Sequence, residues 1–288
     1  MSVSQAAAEF PRLGYRRIRA RVGWVFTVLA FLLVAAPLLD IIGLVAVRGA
    51  SAISPQLFMT VTNGISGGLL NAIVGTFVLS GGALALGVPV GVGAGIYLAE
   101  FGSGPLGATA RFLSDVLTGI PSIVLGYFSY ITMVIGLGWQ FSALAGAITL
   151  ALMIVPYIAR LTELTLRQLP ISLRESAYAL GAPPRTVIFR IVFPLAVPGV
   201  LTGVLLALAI SVGETAPLIY TAGWSNYVWN GRFTHQPIGY LTYVIWSFIN
   251  QPFASAHALA FAAAFLVVLI VLAINLTARL LLSGAQSA

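Results

Sequence analysis

Glu214 stands late in an apolar run that extends from about 194 to 220, beside Gly213, Thr215, Ala216 and Pro217. A carboxylate at that depth in a membrane-length segment is costly and must face protein or water. Two chemistries suit it. As an acceptor it can take a hydrogen bond from a protonated oxyanion, which a fully ionised one cannot donate. As a structural charge it can pair with an arginine of a partner chain. Arg160 is the matching cation, because a guanidinium presents fixed, paired donors suited to tetrahedral oxyanions. Glu163 three residues on, and Arg167 four beyond that, equally suit an ion-pair cluster along one helix face. At about 1.5 Å per residue, straight helices place Arg160 and Glu214 toward opposite membrane faces, so the two do not pair.

What would position such groups is a pair of interruptions. Gly119-Ile120-Pro121-Ser122 breaks one apolar segment and Gly213-Glu214-Thr215-Ala216-Pro217 breaks another. In each, glycine loosens the backbone, proline removes a donor and a small hydroxyl residue lies close by. Freed amides at membrane depth bind an anion only where they line a protein cavity; the competing reading is a pair of ordinary proline kinks. Gly119, Pro121, Ser122, Arg160, Glu214 and Thr215 are therefore the candidates for a solute path.

A third feature is polar. Between Pro170 and Pro194, Glu175-Ser176-Ala177 is followed by Gly181 and then by Ile191-Val192-Phe193-Pro194. Ser172 with Glu175 three residues later suits a capping box, and Gly181 suits a left-handed helix end. Pro183 and Pro184 suit the first turn of a second short helix. A nucleic-acid-binding helix-turn-helix shares such intervals, but only Arg174, Arg185 and Arg190 are available to meet phosphates. No nucleic-acid partner is expected.

Composition sets the class. Hydrophobic residues make up 59% and charged residues 7% of the 288, against about 25% charged in soluble domains. Mean hydropathy is +1.02. An all-α, polytopic membrane protein follows, with six apolar segments near 22–47, 69–99, 112–136, 140–160, 194–220 and 257–282. All basic residues are arginine; without lysine there is no phosphate-binding P-loop, and without cysteine no thiolate metal site or nucleophile. No cofactor or metal is expected. With the amino terminus cytoplasmic, all arginines but Arg48 and Arg232 fall inside, including Arg12 and Arg17, and both termini are cytoplasmic. The first segment is too long for a cleaved signal peptide. The chain divides into a basic segment at 1–21, a first membrane helix at 22–47 and a core at 69–283 that includes the 170–194 loop. Asp115 lies in the first turn of the third segment, where a helix dipole favours a carboxylate, and aromatics between about 221 and 256 suit an interfacial belt. A serine protease reading, with Ser66 in Gly64-Ile65-Ser66-Gly67 and His257 as base, places the nucleophile outside the apolar spans.

The 170–194 spacing resembles the coupling loop of the membrane subunits of bacterial ABC importers. Gly119 to Gly126, Gly213 to Leu218, Ile96-Tyr97-Leu98-Ala99-Glu100 and Arg160-Leu161-Thr162-Glu163 are similar to the A-type permeases of phosphate-specific importers. The match covers most of 64–223. Ile210 departs from it, standing where many relatives carry arginine. The resemblance implies a type I (MetI-like) permease core, half of a heterodimeric phosphate channel in the bacterial inner membrane. Implied partners are a C-type permease, two ATP-binding subunits that hydrolyse ATP, an extracytoplasmic phosphate-binding protein and membrane lipid. Glu175, Ser176, Ala177, Gly181, Arg174 and Arg185 would couple to the ATPase. A permease for molybdate, sulfate or phosphonate is the nearest alternative.

Overall fold

The first helix, α1 (Phe10–Ala52), runs 43 residues, about 65 Å at helical rise. In the computed structural model, which describes residues 10–285 without the side chains of 10–15, 17, 18 and 281–285, it packs on the final helix and leaves the rest of its apolar surface exposed. Residues 1–9 of the expected basic segment, and the side chains of Arg12 and Arg17, lie outside the described residues. The contact with the final helix is close at Gly49, where a Cβ would collide with Phe265, and the Arg48 guanidinium lies over the Phe261 ring, 5.2 Å from its centroid.

A short α2 (Pro55–Met59) and a two-residue ribbon, β1 (Thr62–Asn63) against β2 (Ser66–Gly67), lead into the core. Ser66 is exposed there and donates to the Asn63 carbonyl at 3.2 Å, so it is a turn residue rather than a buried nucleophile. Asn71 fastens the ribbon. Its carbonyl oxygen accepts from the Thr62 amide and hydroxyl, each at 3.0 Å, and its amide donates to the Ser225 carbonyl at 2.8 Å.

Two long helices form the centre: α3 (Leu70–Glu100) and α6 (Ala143–Gln168). Gly87, Gly91 and Gly95 recur every fourth residue along α3, and a Cβ at any of them would press on Ile154, Ile158 or Thr162 of α6. Small residues at this spacing let membrane helices approach backbone to backbone. The fourth apolar segment, expected to end near 160, continues to Gln168 because the polar turns after Arg160 are held by ion pairs.

The third segment differs from expectation. Instead of one span over 112–136 there are α4 (Pro105–Gly119) and α5 (Ser122–Ser129), the latter continuing as a π-helical turn to Gly136, bent by 100° between them. The described chain thus has five helices able to cross a membrane, or six if the bent pair counts as one crossing. The bend also moves Asp115: it occupies the last turn of α4, at the negative end of the dipole, rather than the first turn of a segment.

The polar knob contributes α7 (Ile171–Ala179) and α8 (Pro184–Thr186), followed by a π-helical turn over Val187–Val192 and then α9 (Phe193–Gly213). After a second break come α10 (Ala216–Thr221), α11 (Leu241–Phe248) and α12 (Ala254–Ala285). The aromatic-rich stretch between α10 and α12 is built inward as well as outward. Tyr240 is 1% exposed and Trp224 stacks on Tyr243 at 4.6 Å, while Tyr227 and Trp246 face out. Buried clusters around Leu241, around Ile154 and around Val187 stack along the long helices, and the knob rests on the last of these.

Candidate functional site

Both sequence breaks are real breaks, and they meet. At the first, Ile120 and Pro121 leave the helical region with ψ of 129° and 133°, and the Pro121 carbonyl restarts the helix by accepting from the Val124 amide at 2.9 Å. At the second, Glu214 is extended with ψ of 138°, and the Thr215 carbonyl accepts from Leu218 and Ile219, each at 3.2 Å. Proline near each new helix start has no donor to leave unsatisfied. The Ser122 side chain and the Thr215 backbone are the polar groups that lie beside the Glu214 carboxylate. Thr242 of α11 closes the arrangement, its hydroxyl donating to the Glu214 carbonyl at 2.6 Å.

The segments behind the breaks also pack. A Cβ on Gly126 would collide with the backbone of Pro217, and Tyr127 meets Tyr220 edge to face at 6.0 Å. Ser122, Glu214 and Thr215 therefore form one half-buried site, bordered by Gly119 and Pro121. At Gly119 and Gly213 a Cβ would meet nothing within 4 Å. Both bends open onto space this chain does not fill.

Arg160 belongs elsewhere. Gly199 and Gly203 of α9 lie close against Thr165 and Leu161 of α6, so Arg160 lies level with the middle of α9 and Glu214 roughly 15 Å further along it. The two do not pair, as expected, but they stand about half of a membrane crossing apart rather than at opposite faces. Arg160 instead joins a cluster around Glu163, whose side chain is 2% exposed. Arg111 contacts its Oε1 at 2.7 Å, Arg167 at 3.0 Å, and Arg160 approaches Oε2 at 3.8 Å. That last distance is too long for a hydrogen bond, and Oε2 accepts none. Three guanidiniums face one carboxylate, and Arg160, with half of its side chain exposed, is the least engaged of them. It shares a one-water cavity of about 10 Å³ with Ser114 and Asp115.

Arg111 was not singled out by sequence reasoning. It donates to the Leu98 and Gly102 carbonyls, each at 2.8 Å, and so caps α3 while binding Glu163 of α6 and belonging to α4. Its only signal was a lone cation on an otherwise apolar amphipathic helix.

The knob carries the expected turn. The Gly181 amide donates to the Tyr178 carbonyl at 2.9 Å and the Ala182 amide to the Ala177 carbonyl at 3.1 Å, a Schellman ending with Gly181 at φ +78°. The capping box is absent. Pro170, extended at ψ 135°, is the residue before the helix, which puts Ser172 inside the first turn with no side-chain cap. Glu175, Ser176 and Arg185 are exposed, whereas Ala177 is buried in the knob's base. Arg174 is turned inward. Its guanidinium grips the Glu100 carboxylate at the end of α3, with Nη2 to Oε1 at 2.7 Å and Nε to Oε2 at 3.1 Å, and donates to the Leu166 carbonyl at 2.9 Å.

Broken membrane helices that face one another, beside a short polar knob tied to the long central helices, define a polytopic membrane permease. The chain belongs to the family of binding-protein-dependent transport system inner membrane components, whose model matches residues 91–285. It is 44% identical over 266 residues, 92% of this chain and 88% of the relative, to the phosphate transport system permease protein PstA 2 of Mycobacterium bovis, and equally to that of Mycobacterium tuberculosis. It is 41% identical over 271 residues to the PstA protein of Yersinia pestis, covering 93% and 91% of the two chains. Among solved structures, an inward-facing conformation of the MetNI methionine ABC transporter matches with a TM-score of 0.61 at 21% identity, over 81% of this chain and 99% of that one. This supports the MetI-like fold read from the sequence.

Proposed function

We propose that this protein is the A-type permease subunit of an ATP-driven importer of inorganic phosphate in the bacterial inner membrane. The observation that carries the reading is the joined pair of breaks, in which Ser122 lies beside Glu214 and Gly126 packs on Pro217, at bends that open onto unfilled space. A second permease of C type facing those bends completes the passage. Relatives covering nearly the whole chain and named for phosphate transport support the substrate.

The chain is not itself an enzyme. One of the two ATP-binding subunits docks on the exposed Glu175 and Ser176 face of the knob, with Gly181 setting its turn, and an extracytoplasmic binding protein delivers phosphate to the opposite side. The knob and both termini are cytoplasmic. Closure of the ATPases displaces the knob, and Arg174 with Glu100 carries that displacement into α3. Phosphate passing inward meets Glu214 first and then Arg160, the cation its neighbours leave least engaged.

The deciding experiment is uptake of phosphate, sulfate, molybdate and phosphonate by vesicles containing the chain co-purified with its partner subunits. ATP-dependent phosphate uptake that excess sulfate does not inhibit is the expected result. Uptake of another oxyanion in preference to phosphate, or by the isolated chain without ATP, overturns the proposal.

A further inference from the structure

The knob-proximal half of α9 does not fill its side of α3. Val88, Pro89 and Val92 of α3 face Val197 and Leu201 of α9 across an apolar groove of about 640 Å³. A Cβ at Gly93, within that groove, would meet nothing within 4 Å. Phe189, 55% exposed, closes the knob end of the groove and also lines a separate polar cavity of about 520 Å³ whose other walls are Arg185, Thr186 and Arg190. The π-helical winding over Val187–Val192, with its bonds between residues five apart, is what brings Arg190 round to the side of Arg185.

The four arginines on neighbouring elements, Arg111, Arg160, Arg167 and Arg174, all meet a carboxylate. Among the described residues, Arg185 and Arg190 meet none and make no hydrogen bond through their side chains. They stand at the polar end of a helix stretch, Pro184–Gly213, that is long and apolar enough to cross a membrane, which is the depth of lipid headgroups. A wholly apolar trough therefore runs from a phenyl ring toward the bilayer centre, and two unpaired guanidiniums lie at its head.

We infer that this composite cavity binds one anionic phospholipid, its phosphate on Arg185 and Arg190 and one acyl chain laid along Val88, Gly93 and Val197 past Phe189. Charge complementarity selects this occupant. A soluble anion has no use for the apolar trough, and an apolar helix of another subunit leaves both guanidiniums without a counter-charge. Basic pockets at the ends of membrane helices bind anionic headgroups in just this way.

The test is native mass spectrometry of the full-length protein in detergent, titrated with dioleoyl phosphatidylglycerol or dioleoyl phosphatidylcholine. One tightly held phosphatidylglycerol is expected, unaffected by millimolar inorganic phosphate, and phosphatidylcholine should bind weakly. The Arg185→Gln/Arg190→Gln double variant should bind phosphatidylglycerol roughly 30-fold more weakly, from the usual contribution of two arginines at a charged lipid surface. Gly93→Leu should lose the bound lipid while leaving both guanidiniums in place, and Phe189→Ala is the milder check if that variant fails to fold. Equal retention of the two lipids, displacement by free phosphate, or unchanged binding in the double variant overturns the inference. So does photocrosslinking from position 189 to a polypeptide instead of to lipid.

Discussion

The Ser122 side chain lies beside the Glu214 carboxylate, although the two residues belong to different membrane segments and each sits at a place where its own helix has come apart. Two breaks that looked like separate kinks along the chain are one site in space.

If that contact sets the geometry of the path, through a hydrogen bond from the Ser122 hydroxyl to the carboxylate, removing either partner should have overlapping consequences. Ser122→Ala should slow phosphate uptake several-fold, Glu214→Gln about tenfold or more, and the double variant no more than Glu214→Gln alone, since hydrogen bonds to a charged group contribute about 1.5–3 kcal/mol. Strictly multiplicative rates in vesicle uptake would show that the two act independently. Sulfate competition measured on Glu214→Gln separates its roles: a ligand acceptor predicts relaxed rejection of sulfate, a structural charge an unchanged profile.

The Glu163 cluster predicts a division between stability and transport. Arg111→Ala strips a buried carboxylate of its closest partner and uncaps α3, so thermal unfolding in detergent should report a loss of about 3 kcal/mol. Arg160→Gln, whose side chain approaches Glu163 only at 3.8 Å, should unfold close to the parent yet show the greater loss of phosphate uptake. The reverse order would make Arg160 structural and remove it from the solute path.

At position 181 the backbone angle alone would strain any residue but glycine. Its φ of +78° disfavours any side chain, while a Cβ there would meet nothing within 4 Å. Gly181→Leu should therefore cost about 1–2 kcal/mol locally, deform the end of α7 and weaken co-purification of the ATP-binding subunits without unfolding the membrane core. Normal assembly and uptake in this variant would contradict the knob's assigned role.

Arg174→Ala and Glu100→Gln should each leave the knob folded on its apolar base but loosen it from α3. ATPase binding should persist while ATP turnover and phosphate uptake become uncoupled, and the charge-swapped pair Glu100→Arg/Arg174→Glu should recover part of the coupling. Loss of ATPase binding in Arg174→Ala would instead place that arginine in the docking surface.

Much of the candidate site could be read from residue types because glycine and proline act locally: the interruptions at Gly119 to Ser122 and Gly213 to Pro217 and the turn at Gly181 are all where the backbone must behave unusually. What could not be read was direction. Hydropathy measures how apolar a segment is and says nothing about a 100° change of course, so 112–136 looked like a single crossing, although Pro105, a sound helix opener, lay in plain view. With the start of α4 misplaced, the dipole argument for Asp115 was applied to the wrong helix end. The Ser172 capping box failed for a related reason, since Pro170 had already taken the position before the first turn. The inward roles of Arg111 and Arg174 depend on partners from distant parts of the chain, Glu163 and Glu100, and no local pattern announces such pairings.

The glycines at 87, 91 and 95 leave no cushion of side chains between α3 and α6. Neither helix can slide or roll against the other without driving an isoleucine through a backbone, so a push delivered at Glu100 is received by both at once. Packed this closely the two helices make a single girder, and the broken segments, where helical hydrogen bonds are already missing, are its natural hinges.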